Sequence, residues 1–470
     1  MQSLIDIALP LAGRHITAPA TDTAAAYMSR VLRSLGAEIA VPTVFSSLDV
    51  ARDWAASGLV PLTGGNAAPL QGPAAIPSSA RGALQALKLL LKDPSRLDSL
   101  NGASLLSERA ALLDLQAGDQ VSANGSCRLL ATADGWLALN LARDEDRELL
   151  PAWLQVAVDP SDWDAVAAQV AMQSTVALVE RGRLMGLPVA DAESRRTSAE
   201  AWFSVAAQVV PAEARSSSAP LVVDLSSLWA GPLCTHLLEL AGARVIKVES
   251  NARLDGARGG NPVFYDLLNG NKESVVLNLG TPLGREQLKA LIARADIVVE
   301  ASRPRALRQL GIEAEQMLAS VPGLTWVSIT GYGRGDPAAG WVAFGDDAAV
   351  AAGVAMATAN PPQFCGDALA DPLAGIHAAL AAQAFWMAGG GALVDISLTG
   401  VTAYCLDFCL GIDRAMAVKG DTEKGDDGWA MRLGRHTLAI AKPEYRQGQA
   451  RAASAGCDTR RILQEFGIRC

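Results

Sequence analysis

Asp371 stands directly before Pro372 at the head of a long apolar run, DPLAGIHAALAAQAF. An Asp cap followed by Pro in the first turn is a strong helix start: the carboxylate accepts orphan backbone N–H groups, and proline has none to lose. The plain role of such a residue is a cap, worth ~1 kcal/mol. Its chemical role would differ. The positive end of the helix dipole favours the ionised carboxylate, and a fixed, ionised carboxylate is a covalent nucleophile for an activated acyl group. Asp367, four residues earlier, is the rival. Arg258, Lys272, Arg303 and Arg305 stand in loops or after apolar strands of the 221–335 region, where basic side chains hold phosphates. Taken singly, each is more often a solvated surface charge.

Other chemistries lack their signatures. GYGRG at 331–335 is glycine-rich but has neither GxGxxG spacing nor a helix start behind it. No GxxxxGK[ST] and no GxSxG occurs. The His residues at 15, 236, 377 and 436 are scattered, and the seven Cys include no CxxC pair, so no zinc site is expected.

The elements that must position these residues begin at 221. LVVDL, ARVIKVE, VVLNL, DIVVEA and LTWVSITG read as strands, with LCTHLLELAG and GREQLKALIARA as helices among them. Alternating strands and helices predict a parallel sheet covered on its faces, with ligands beyond the strands' carboxyl ends. The 375–394 stretch has the length of a membrane span but contains His377, Gln383 and three consecutive glycines. A buried helix, a glycine turn and a strand account for it better.

Upstream, residues 1–60 read as a small αβ piece, with an amphipathic helix closed by Gly36 and followed by a strand. RVLRSLGAEIAV there echoes HLLELAGARVIKV near 236–248, as a shortened Rossmann-like half-repeat would, although any βαβ unit gives the same pattern. Residues 61–215 read as a small α+β unit opening on a Gly/Pro/Ala/Ser-rich loop or linker at 61–82. In it Arg128–Ala131 and Trp136–Leu141 form a hairpin around Ala133-Asp134-Gly135, a helix starts near Asp144, and 163–186 are helical up to Gly186. SSSAP at 216–220 is the natural boundary before the 216–412 unit, and 413–470 read as a polar, less regular tail.

The whole-chain figures agree with a large folded protein. Of 470 residues, half are hydrophobic and 19% are charged. A net charge of -9 argues against a general nucleic-acid binder. The N-terminus is a poor signal peptide, and the odd, dispersed cysteines disfavour a disulfide framework, so a cytoplasmic location is expected.

VVDLSSLWAGPLCTHLLELAGARVIKVES, NGNKESVVLNL, the ADIVVEASRPRALRQLGI run, VSITGYG, ADPLAGIHAAL and VDISL, read together, resemble the Rossmann-like domain of the family III CoA transferases, the family of formyl-CoA transferase, carnitine CoA-transferase and α-methylacyl-CoA racemase. The resemblance runs over about 220–400. CRLLATADGWLALNLARDED resembles the family's smaller domain, which normally follows the Rossmann-like one and here precedes it, implying a rearranged or fused form.

The resemblance implies an α/β fold and transfer of CoA between carboxylic acids through aspartyl anhydride and aspartyl-CoA thioester intermediates. It places the nucleophile at Asp371, since Gly375-Ile376-His377 follows at the family's spacing. It puts Trp229, Ala230, Arg258, Lys272, Ala301, Ser302 and Arg303 at the CoA site, where Glu300-Ala301-Ser302 replaces the family's frequent Glu-Asn-Phe. CoA would be a substrate; no metal or permanently bound cofactor is expected, and neither is nucleic acid or a membrane as partner. A homodimer, interlocked as in the family, is expected. Asp346 stands where racemase members carry His, which argues against a His/Asp pair, and Ala123-Asn124-Gly125-Ser126 is a thin version of the family's glycine-rich loop. An acyl-CoA isomerase using Asp346, and a non-catalytic CoA-ester-binding subunit, are the alternatives. Trp229, Phe344 and Phe364 hint at an apolar lining for an acid larger than formate or oxalate.

Overall fold

The computed structural model describes residues 9–17, 21–39, 45–65, 68–193, 201–212, 219–410, 420–425, 428–448 and 450–469. Its centre is a seven-stranded sheet. The order is Glu273–Leu277, Arg244–Ser250, Leu221–Leu225, Ile297–Glu300, Thr325–Thr330, Ala392–Ser397 and Ser204–Gln208. The first six are parallel and the last pairs antiparallel with Ala392–Ser397. Strand order reverses between Leu221–Leu225 and Ile297–Glu300, which opens a crevice beyond their carboxyl ends. Buried on both faces, these strands read as continuous Val, Ile and Leu runs, and that made them legible in sequence.

One face of the sheet is covered by the helices Ala230–Leu240 and Ala370–Met387. They pack closely because Gly375 has no side chain: a Cβ there would lie 2.7 Å from Ala230 O. The membrane-length stretch is this second helix, followed by Gly389, Gly390 and Gly391, all at positive φ, and then the Ala392–Ser397 strand. Among the described residues no helix is long and apolar enough to cross a membrane.

Upstream boundaries differ from the expectation in three places. The 61–82 stretch is not a linker. It holds a short 3-10 turn at Val60–Leu62, a two-residue hairpin and the first half of a helix, Ile76–Leu89. Its small residues are a packing face, since Gly82 sits directly on the backbone of the Thr23–Ser34 helix. Ser204–Gln208, expected in the small unit, is the edge strand of the large sheet. The 163–186 region is two helices, Trp163–Val170 and Thr175–Met185, the second capped by Gly186 at φ +81°.

In the expected first unit, His15–Ile16 pairs parallel with Glu38–Ile39, with the Thr23–Ser34 helix between them in the chain. That helix shares a core with Ala230–Leu240 and Ala370–Met387 rather than standing apart. The small unit has its own core around the hairpin Cys127–Ala131/Trp136–Asn140, with Val189–Asp191 as third strand. Residues 216–218 of the expected linker lie outside the described residues. The tail begins as a three-stranded meander, Asp421–Gly425, Gly428–Leu433 and His436–Ala439, and ends in the helix Thr459–Glu465. That helix lies against the edge strand Glu273–Leu277, where Thr459 Oγ1 accepts from Val276 N at 2.9 Å.

Candidate active site

Asp371 is the second residue of the Ala370–Met387 helix, not its cap; Leu369 holds that place. Pro372 therefore stands third, still in the first turn where its missing N–H costs nothing. Two more carboxylates, Asp346 and Asp367, converge on this helix start, with Asp347 behind Asp346. Asp346 and Asp347 come from the helix Gly345–Ala351, and Asp367 from the turn before Ala370. Gly345 lies directly against Asp371 Oδ2, and its N–H stabilises the charged form.

The cluster is held by residues from far upstream. Arg109, on the six-residue helix Glu108–Leu113, forms a fork on buried Asp367, Nε to Oδ2 at 2.7 Å and Nη2 to Oδ1 at 2.6 Å. Its guanidinium also lies 4.8 Å from the centre of the Trp229 ring, a cation–π contact. Asn124 Nδ2 donates to Asp346 Oδ2 at 2.7 Å and to Asp367 Oδ1 at 3.1 Å. The other oxygen of Asp346 accepts from Ala368 N at 2.7 Å. Asp347 Oδ1 accepts from Asn140 Nδ2 and from Phe344 N, at 2.9 and 3.0 Å.

One guanidinium thus serves three neighbouring carboxylates. Burial pushes the Asp371 carboxyl up to about 7; Arg109 opposes the rise, and Asp346 and Asp367 add to it. The helix N-terminus does not by itself keep Asp371 ionised, contrary to the sequence expectation. Asp346 is also raised, by burial and then by Asp367. Asp347 is pushed to about 8, chiefly by burial. Like charges in a shared site cannot all ionise at neutral pH. The cluster therefore holds protons there, and Asp371 stands near the midpoint of its titration.

The residues expected around CoA divide into two groups. Trp229, Ala230, Ala301, Ser302 and Arg303 gather where the strand order reverses, beyond Leu221–Leu225 and Ile297–Glu300. Ala301 Cβ lies 3.6 Å from where Gly231 would carry one. Arg303 is half-buried, and its charged form is disfavoured by burial and by Arg305, Arg143 and Arg253. Arg143 is forked onto Asp146, so the locally positive rim is Arg253, Arg303 and Arg305.

Lys272 and Arg258 are engaged elsewhere. Lys272 is buried, and its ammonium bonds Thr235 Oγ1, Asp224 Oδ2, Pro232 O and Asn269 Oδ1 at 2.7–3.1 Å. It is a core ion pair rather than an open phosphate contact. Arg258 forks onto Glu249, with Nη2 to Oε2 at 2.5 Å, and stacks over Tyr265. The apolar lining also changes. Trp229 is 2% exposed and Phe364 5%, so both are core; Phe344 alone is half-buried, beneath Arg143.

Sequence reasoning missed Arg109 and Asn140. The signal available for Arg109 was an adjacent Glu-Arg pair inside the apolar run LLSERAALL. Asn124 had been noted as part of the thin glycine loop, and Gly125 beside it takes φ +77° with open space around it. Among the described residues no group of three or more His, Cys, Asp or Glu is arranged to hold a metal ion.

Residues 220–432 match the family model CoA-transferase family III. The chain is 32% identical over 191 residues to the succinyl-CoA–D-citramalate CoA-transferase of Chloroflexus aurantiacus, covering 38% of this chain and 48% of that one. It is 30% identical over 204 residues to the acetyl-CoA:oxalate CoA-transferase of Acetobacter aceti, covering 40% and 52%. It is 33% identical over 166 residues to a formyl-CoA:oxalate CoA-transferase of Escherichia coli, covering 33% and 40%. Among solved structures, a CAIB/BAIF family protein from Brucella suis superposes with a TM-score of 0.41 at 28% identity, over 45% of this chain and 64% of that one. The chain spans about half the length of the curated relatives it matches. The 220–432 segment that matches CoA-transferase family III is the one that carries Asp346, Asp367 and Asp371.

Proposed function

We propose that the protein transfers CoA from an acyl-CoA donor to a carboxylic acid acceptor, with Asp371 as the covalent nucleophile. The observation that carries this reading is a half-buried carboxylate at a helix start, titrating near neutrality, beside a forked Arg and the crevice of a parallel sheet. In the first step an Asp371 oxygen adds to the thioester carbonyl, the C–S bond breaks, and CoA thiolate leaves a mixed anhydride behind. The thiolate then adds to the aspartyl carbonyl, the anhydride C–O bond breaks, and the donor acid departs as its carboxylate. The acceptor carboxylate repeats both steps in reverse order and leaves as its CoA thioester, which restores Asp371. No net proton is consumed. Splitting the exchange into covalent steps lowers each barrier.

Only the ionised form of Asp371 attacks. The rim of Arg253, Arg303 and Arg305 suits the anionic phosphates of CoA, and Ala230, Ala301 and Ser302 border the same crevice. The relatives' names pair CoA with short acids, which favours a small carboxylate as acceptor. A homodimer belongs to the same reading and is checked by light scattering behind a sizing column.

A second reading is an acyl-CoA isomerase, favoured by the raised Asp346 and Asp371 carboxyls, two acid/base groups in one site. The test is product analysis with a panel of acyl-CoA donors and carboxylates in deuterated water. Acceptor-CoA formed without deuterium at the α-carbon supports transfer. Deuterium incorporation without new CoA esters supports isomerisation.

A further inference from the structure

Glu108 and Arg109, adjacent in sequence, face two different parts of the molecule. Arg109 reaches the acid cluster, while buried Glu108 is gripped by Arg446 from the C-terminal tail, with Nε to Oε1 at 2.6 Å and Nη2 to Oε2 at 3.1 Å. The third nitrogen of Arg446, Nη1, donates to His236 Nε2 at 2.7 Å, which places the imidazole proton on Nδ1 facing Glu239. Burial holds His236 neutral, lowering its pKa to about 4, so it remains an acceptor at neutral pH. His236 sits on the Ala230–Leu240 helix, capped by the same Trp229 that carries the Arg109 guanidinium.

The tail around Arg446 is a strap. Ala441 N donates to Ala55 O at 2.7 Å, Ala452 N to Asp266 Oδ1 at 2.9 Å, and Gly456 N to Ser274 Oγ at 3.0 Å. Through Arg446 it holds Glu108 at the head of the Glu108–Leu113 helix, whose six residues are far too few to hold a helix alone. That helix exists because its neighbours fix it. Glu108, Arg109 and Arg446 all lie outside the 220–432 match, so this chain's flanking segments supply the device.

We propose that Arg446 is a positioning residue: through Glu108 it sets the short helix that aims Arg109 at Asp367, Asp346 and Asp371. The strap thereby fixes the local charge balance on which the nucleophile depends. The groups facing Asp371 are Arg109 from the short helix, Asp346 and the Gly345 N–H from the Gly345–Ala351 helix, and Asp367 from the preceding turn. With Arg109 loosened, the two flanking carboxylates act unopposed and Asp371 takes up its proton at higher pH. The importance of this effect for turnover rests on the CoA-transferase reading; the effect on Asp371 itself does not.

The test is carbodiimide labelling of protonated carboxyls in the full-length protein, mapped by peptide mass spectrometry across pH 5–9, with Asp371→Asn as the blank. Wild type should show an Asp371 midpoint near 7. Arg446→Met should raise it by roughly half a unit or more, about a threefold loss of ionised Asp371 below the midpoint, and Arg446→Lys should recover part of the shift. Should Arg446→Met fail to fold because Glu108 is left buried and unpaired, the pair Glu108→Gln/Arg446→Met removes that charge and still cuts the tether. A folded variant with an unmoved midpoint overturns the proposal. A shifted midpoint in a protein that transfers no CoA with any donor leaves the positioning role standing and rejects the functional reading instead.

Discussion

Arg109 and Asp367 are 258 positions apart in the chain and meet in a two-bond fork, Nε to Oδ2 at 2.7 Å and Nη2 to Oδ1 at 2.6 Å. Asp367 has no side-chain exposure, whereas Arg109 keeps 21%, so it is the carboxylate of the pair that is fully buried. Removing one partner of such a pair leaves an uncompensated charge, a loss of about 3–5 kcal/mol. Arg109→Met should therefore lower stability by an amount in that range, read as the urea midpoint. Arg109→Met/Asp367→Asn should restore much of it, whereas a double variant no more stable than the single one would deny the coupling.

Asp346 and Asp371 share that one cation. Asp346→Asn removes a like charge and keeps one acceptor oxygen, for Ala368 N, while its amide nitrogen replaces the oxygen that accepts from Asn124. The Asp371 midpoint should fall by roughly 0.5–1 unit from its value near 7. The acidic limb of CoA-adduct formation should move down with it. An unchanged limb would mean that Asp346 is already neutral whenever Asp371 ionises.

Asp347 gives a stability prediction with a definite sign. In the folded chain its carboxyl is pushed up to about 8 by burial, while unfolded it titrates near its ordinary ~4. Between those values the native state binds the extra proton, so this contribution is full below the unfolded pKa and is lost as pH rises toward 8. Asp347→Asn carries no such term. The melting temperature of wild type should drop relative to the variant between pH 5 and 8.5; parallel curves would contradict the shift.

Gly375 is the close-approach point between the two helices over the sheet. Gly375→Ala would place a Cβ 2.7 Å from Ala230 O and 3.1 Å from Leu233. Overpacking of this kind costs about 1–3 kcal/mol. Both helices begin at the site, so CoA-ester affinity, measured by calorimetry, should fall along with stability. Retained affinity would show that the helix starts hold their places without close packing below.

The parts legible in sequence are those in which local pattern and tertiary context agree. Buried parallel strands must be apolar throughout, so LVVDL and DIVVEA declared themselves, and the glycine turn at 389–391 separated helix from strand. The hairpin around Asp134 was visible for the same reason. Tertiary partners were not visible. Lys272 looked like an exposed basic residue because its counter-ion, Asp224, is 48 positions away. The 61–82 stretch looked like a linker because small residues mark both loops and close helix contacts, and only the neighbouring helix decides between them. Asp371 was singled out by its motif, yet its charge state is set by burial and by Arg109, Asp346 and Asp367, which meet only in the folded chain.

The most direct test of the central claim is intact-protein mass spectrometry of wild type and Asp371→Asn after brief incubation with a panel of acyl-CoA donors. A CoA-sized mass on the wild type that hydroxylamine converts to a hydroxamate at Asp371, and that is missing from a folded Asp371→Asn protein, is the predicted result. An adduct of equal yield on both proteins, or none on a wild type that binds CoA esters tightly, would contradict Asp371 as the nucleophile.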